Sequence, residues 1–96
     1  MRATSAPHWQ AVTATSYCQS GVTASGQYTR PGEVAMNIEP LGTHIIVSPA
    51  VFERTHYVVL DRIGYGTQLD FYTVRCSDAV TFGRRVIHYH IALTGR

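Results

Sequence analysis

Lysine is missing altogether: all eight basic side chains outside histidine are arginines. Charge of either sign is scarce, at 15% of the chain, and the net charge is only +2. A balance this weak, with no run of basic residues, leaves no electrostatic footprint for nucleic acid. No apolar run approaches the ~20 residues a membrane helix needs, so no transmembrane segment is expected. Residues 1–16 hold one arginine and no apolar core segment, so no secretory signal is expected there. A glycine-rich phosphate loop and a nucleophile elbow are both lacking. Cysteine is down to two, Cys18 and Cys76. Neither belongs to a Cys-x-x-Cys pair, which argues against zinc. The two either form one disulfide, contributing about 3–4 kcal/mol across so long a loop, or remain as core thiols.

What remains is a chain that folds. Hydrophobic residues make up 45% of the 96 positions, enough for one compact core. The organisation expected is an N-terminal arm over 1–8 and a single domain over 9–96.

The chain is organised around residues 58–72. Residues 56–60 and 69–74 are rich in β-branched and aromatic side chains and predict two strands. Gly64, Tyr65 and Gly66 supply the turn between them. Asp61 closes the first strand and Asp70 sits just inside the second. Aspartate is a poor strand former, and burying even a neutral polar group without a partner costs about 2–7 kcal/mol. A carboxylate in such a place is a candidate for chemistry. The plainer readings stand beside it: Asp61 caps the turn, and Asp70 pairs with Arg62 or another arginine.

Elsewhere, residues 9–17 alternate in part and predict a strand, followed by a loop over 18–32. A short strand is expected over 33–37 and a proline turn over 39–42. The next strand covers 43–47, with Ser48-Pro49 breaking it and 51–55 as a connection. Ser77 is placed as the N-cap of a short helix, Asp78 suits its first turn, and Gly83 ends it. The last strand is predicted over 86–93. Six short strands at spacings of roughly ten residues, with one helix, point to a small barrel or sandwich.

Five histidines raise the question of a metal. His88 and His90 share one face of the last strand, a spacing that chelates. The alternation favours a solvent face instead, with Ile87, Tyr89, Ile91 and Leu93 inward. His8, His44 and His56 form no pattern in the sequence. No metal and no cofactor is expected.

Several motifs, in order, resemble the 3D domain, a family named for three aspartates. Thr13-Ala-Thr-Ser-Tyr-Cys18 resembles its first strand, and Thr23-Ala-Ser-Gly26 with Arg30-Pro-Gly32 the loop that follows. Glu33-Val-Ala-Met-Asn37 sits where the family has a strand ending in its first aspartate. Pro40-Leu-Gly-Thr43 matches a family signature, Leu60-Asp61 and Leu69-Asp70 fall at the second and third aspartates, and Phe82-Gly-Arg-Arg85 precedes the last strand. The resemblance spans about residues 12–93 and extends to MltA-like lytic transglycosylases, RlpA-like proteins, barwin and expansins. Two departures stand out: Asn37 replaces the first aspartate, and Arg62-Ile63-Gly64 replaces the Thr-Gly-Gly common after the second.

The resemblance implies an all-β fold, a six-stranded double-psi β-barrel with one short helix. It also implies a secreted or envelope protein acting on peptidoglycan or another polysaccharide, expected as a monomer. Asp70 falls where MltA-like enzymes have their general acid/base. Asp61 is then the nearby carboxylate that raises the Asp70 pKa or steadies an oxocarbenium-like transition state. Asn37 binds substrate in this reading, and Ser25 lines the groove. Tyr28 and Tyr65 are sugar platforms, against a plain packing or loop role for each. A single acid/base suffices, because the muramic acid C6 hydroxyl attacks within its own sugar. The alternative is a non-catalytic glycan-binding or wall-loosening module of the expansin kind, which Asn37 favours. A glycosidase on another β-glucan is a third reading.

Overall fold

A computed structural model describes residues 8–92. The arm expected over 1–8 lies outside the described residues apart from His8, and so does Leu93. Six strands and one helix follow in order: β1 (Gln10–Tyr17), β2 (Glu33–Ala35), β3 (His44–Val51), β4 (Arg54–Asp61), β5 (Leu69–Tyr72), α1 (Cys76–Phe82) and β6 (Arg85–Ile91).

The strands close into a barrel in the order β1-β5-β2-β4-β3-β6, with β6 returning to β1. The expected six-stranded barrel with one short helix is therefore present. Two of its pairs, β1–β5 and β2–β4, are parallel, and the other four are antiparallel. Closure leaves no edge strand exposed to pair with a neighbour.

Period-two alternation builds the core. Val12 and Ala14 of β1, Val34 of β2, Ile45 and Val47 of β3, and Tyr57 and Val59 of β4 point inward. Leu69 and Phe71 of β5 meet Ile87 and Tyr89 of β6 in the same interior. Aromatic edges fill the centre, with the Tyr57 and Phe71 rings 4.8 Å apart. The Tyr57 hydroxyl donates to the Val51 carbonyl, and burial pushes its pKa up to about 12.

Four local expectations need correction. Ser48-Pro49 does not break β3. Ser48 still pairs with His88 of β6, and the strand continues to Val51. Its register against β4 shifts between Ile46 and Val51, and a proline is tolerated at such an irregularity because no ladder amide is needed there. The connection expected over 51–55 is shorter, a tight hairpin turn at Phe52 and Glu53, with φ 50° and 64°. The Phe52 ring packs 5.7 Å from Phe82, a tertiary contact that accompanies the uncommon left-handed backbone. The helix starts at Cys76 with Arg75 as N-cap and no capping side chain, so Ser77 lies inside it. Asp78 does occupy the first turn, and Gly83, at φ 67°, ends the helix as expected. Ile91 does not point into the barrel: at 46% exposed, it lies where the β3–β6 ladder runs out.

Cys18 and Cys76 form a disulfide that ties the end of β1 to the start of α1. Three of the predicted strands also stop short of their expected ends: β2 at Ala35, β5 at Tyr72 and β6 at Ile91.

Candidate active site

Register brings the two aspartates together. In the parallel β1–β5 pair, Thr15 lies opposite Asp70. Across the next pair, Asp70 lies opposite Ala35. Ala35 in turn lies opposite Asp61, because β4 carries one extra residue between Val59 and Asp61. Without that bulge, Leu60 would face Ala35. The bulge advances the strand by one residue and brings Asp61 level with Asp70. Thr15, Asp70, Ala35 and Asp61 thus form one row across four strands. The two acids are two strands apart, roughly 10 Å between backbones, and only the methyl group of Ala35 stands between them.

A groove of ≈ 400 Å³ opens over this row. Tyr17, Asp61, Arg62, Tyr65, Thr67 and Asp70 are among its lining residues. The segment 62–67 forms one side of it, and Asn37 anchors that segment. The Asn37 amide donates to the Ile63 carbonyl at 2.8 Å and accepts from the Ile63 amide at 3.0 Å. An aspartate there could accept but not donate. Arg62 adds a second anchor, donating to the Met36 and Glu39 carbonyls at 2.7 and 2.6 Å.

The environments of the two aspartates differ. Asp70 is half-buried, and its Oδ1 accepts from the Thr15 hydroxyl at 3.0 Å. Burial raises its pKa above the ordinary carboxylate value, the Thr15 bond opposes this, and the Asp61 charge adds to the rise. Asp61 uses Oδ1 to accept the backbone amides of Ala24 and Arg62, both at 2.9 Å. It caps its turn and fastens the 23–26 loop to the end of β4. An ion pair between Asp70 and Arg62 is not formed, since the Arg62 head is committed to carbonyls. Among the described residues the ion pair within 4.0 Å is Arg75–Asp78.

Two further groups belong to this face and were not singled out from the sequence. Glu33 of β2 is fully buried. Its Oε2 lies 2.5 Å from the Tyr17 hydroxyl, which donates to it when the carboxyl is ionised. Its Oε1 has no hydrogen-bond partner. Burial raises the Glu33 pKa, the Tyr17 bond lowers it, and Asp61 and Asp70 raise it further. The Tyr17 pKa is pushed upward by burial and then by Glu33. Its ring meets Tyr72 edge-on at 5.5 Å. Only the glutamate inside a predicted strand hinted at Glu33; its burial depends on β1, β4 and β5.

Of the residues expected at the site, the structure gathers Asp61, Asp70 and Tyr65 around one groove. Tyr65 is 93% exposed, its ring at the mouth. Asn37, Ser25 and Tyr28 are not among the lining residues. Ser25 closes its own turn, with Oγ 2.8 Å from Thr23 Oγ1 and its amide on the Leu60 carbonyl. Tyr28 stands on the outer loop, bridged to Val22.

A larger cavity of ≈ 480 Å³ lies beside α1, lined by Phe52, Glu53, Asp78, Phe82 and Arg85 among others. Arg85 stacks 4.1 Å over Phe82 and donates to its carbonyl, so the one cation there is already engaged. The smaller groove holds two carboxylates, one of them the half-buried Asp70 with its raised pKa, and is the candidate site. Among the described residues no group of three or more metal-ligating side chains comes together. Among the described residues no helix is long and apolar enough to cross a membrane. No protein-family model matches the chain, and neither a curated protein nor a solved structure is significantly similar to it.

Proposed function

We propose that this protein cleaves the glycan strands of peptidoglycan by lytic transglycosylation, with Asp70 as general acid/base. One observation carries the reading: Asp70 is a half-buried carboxyl with a raised pKa, at the groove and in register with a second carboxylate, Asp61. A raised pKa keeps a proton available for a leaving oxygen near neutral pH. In this mechanism Asp70 protonates the glycosidic oxygen, and the bond from that oxygen to the anomeric carbon breaks. Asp61, held by its two backbone amides, balances the developing positive charge. Asp70, now a carboxylate, takes the proton from the muramic acid C6 hydroxyl as that oxygen closes onto the anomeric carbon. Tyr65 offers an exposed aromatic face at the mouth for a neighbouring sugar. A peptidoglycan substrate places the protein outside the cytoplasm, in the envelope or secreted.

The test is mass spectrometry of soluble products from purified peptidoglycan, treated with the wild type or with Asp70→Asn. Anhydromuropeptides from the wild type, reduced at least about 100-fold in the variant, are expected. Hydrated reducing ends would replace the transglycosylase by a hydrolase. The second reading, a glycan-binding or wall-loosening module, draws on Asn37, whose amide is committed to the Ile63 backbone where the family has an aspartate. Wall binding without products from either protein would select it.

A further inference from the structure

Glu33 is the buried acid that the mechanism above leaves unused. It is 0% exposed, and one of its two oxygens touches a groove residue while the other touches no polar atom. That asymmetry bears on its proton. An ionised carboxylate spreads its charge over both oxygens, and burying one of them unpartnered carries a large desolvation cost. A carboxylic acid whose O–H points to Tyr17 leaves bare only a neutral carbonyl oxygen, which costs far less. The O···O contact accommodates a donor from either side. The charged and titratable groups facing Glu33 are Tyr17 from β1, Asp61 from β4, Asp70 from β5 and Arg30 from the preceding loop. Burial, the largest influence, and the two aspartates oppose ionisation of Glu33, while the Tyr17 hydrogen bond and Arg30 favour it. The Arg30 guanidinium is also engaged with Gln27 Oε1.

We propose that Tyr17 is a hydrogen-bond donor to the glycan in the groove, held in that role by Glu33 in its protonated form. Glu33 donates its O–H to the Tyr17 oxygen. The Tyr17 proton is then released from Glu33 and turns into the groove, where Tyr17 already forms part of the lining. Tyr17 is the binding residue and Glu33 the positioning residue. When Glu33 ionises, the donor direction reverses, Tyr17 points back at the carboxylate, and the groove loses a donor. Glu33 is thereby a pH-sensitive determinant of ligand affinity. The inference rests on the proposed function for the identity of the ligand, and not for the state of Glu33.

Two experiments test it. The first needs no ligand: carbon-13 NMR of labelled glutamate side chains from about pH 4 to pH 9, with Glu33→Gln assigning the signal. Glu33 is expected to remain protonated above the ordinary glutamate range. A Glu33 signal that titrates within that range overturns the proposal. The second measures both soluble product and pelleting with insoluble peptidoglycan across the same pH range. Glutamine offers a donor N–H in the place of the acid O–H. Glu33→Gln is therefore expected to match wild type at neutral pH and to keep that level at alkaline pH, where wild type declines. Tyr17→Phe keeps the ring and is expected to lose about tenfold at neutral pH, the worth of one well-placed hydrogen bond. An unaffected Tyr17→Phe, or an alkaline decline unchanged in Glu33→Gln, overturns the proposal. A wild type that neither cleaves nor pellets removes the glycan reading instead, and the titration then decides the state of Glu33 by itself.

Discussion

The barrel has two outward faces that carry titratable side chains, and they have different fates. On β1, β5, β2 and β4 the outward residues are Tyr17, Asp70, Glu33 and Asp61. On β3, β4 and β6 they are His44, His56, His88 and His90. Loops 18–32 and 62–67 flank the first face, and its acids are buried or half-buried and electrostatically coupled. The second face is open. His88 is exposed, and His44 and His56 meet in solvent with Nδ1 2.8 Å from Nε2. His90 packs edge-on against Trp9 at 4.5 Å, and its Nδ1 lies 2.9 Å from the Ile91 carbonyl oxygen. Residue type does not separate the two faces, because both carry groups capable of acid–base chemistry. Cover separates them. Burial makes ionising a carboxyl costlier, and cover brings that cost to Glu33 and Asp70.

The comparison breaks most severely if the cover is cut loose. The Cys18–Cys76 bond joins β1 to α1 right beside Tyr17. Replacing both cysteines by alanine should cost about 4 kcal/mol of unfolding free energy, measured by urea denaturation. Product formation should fall with it if the groove wall depends on that tether. A smaller break is Asn37→Asp, which removes the donor to the Ile63 carbonyl and should cost about 1 kcal/mol. An aspartate at position 37 should therefore loosen the 62–67 segment rather than improve the site, and raised activity in this variant would refute that reading.

A pH series sharpens the contrast. Asp70 and Glu33 have folded-state pKa values above those of the unfolded chain. The stability each contributes is complete below the ordinary carboxylate range and is lost as pH rises through the raised value. Thermal melts should show wild type weakening in that window. Glu33→Gln should show less weakening, and the gap between the two should widen toward neutral pH. The smallest effect belongs to the open face. His56→Ala removes an exposed pair and should shift stability by no more than about 0.5 kcal/mol, with product formation unchanged. A large loss of activity there would end the distinction between covered and open faces.

The sequence went furthest where structure is local. Partial alternation over 9–17 and the β-branched and aromatic residues of 56–60 marked strands, because such side chains suit a pleated surface that puts every second one in the core. Gly83 marked the end of the helix. Asp61, Asp70 and Tyr65 were legible as site residues, since two aspartates flanking a glycine turn are unusual within apolar strands. The remainder depended on partners far along the chain. Pro49 looks like a strand breaker until β6 supplies Ser48 with a ladder partner and the hairpin to β4 closes beyond it. Ser77 looks like a cap, but the helix begins at Cys76 and the cap position falls two residues earlier, at Arg75. His44 and His56 show no pattern because strands β3 and β4 bring them together, not their spacing.

The sequence by itself determined which residues alternate, where the chain turns, and that two carboxylates bracket one of those turns, since these follow from local backbone and side-chain preferences. Only the tertiary structure decided that a bulge in β4 sets Asp61 level with Asp70. It alone committed Asn37 to the loop and buried Glu33 behind Tyr17. Register, burial and charge coupling are properties of pairs of strands, and residues 17, 33, 61 and 70 become neighbours only when the barrel closes.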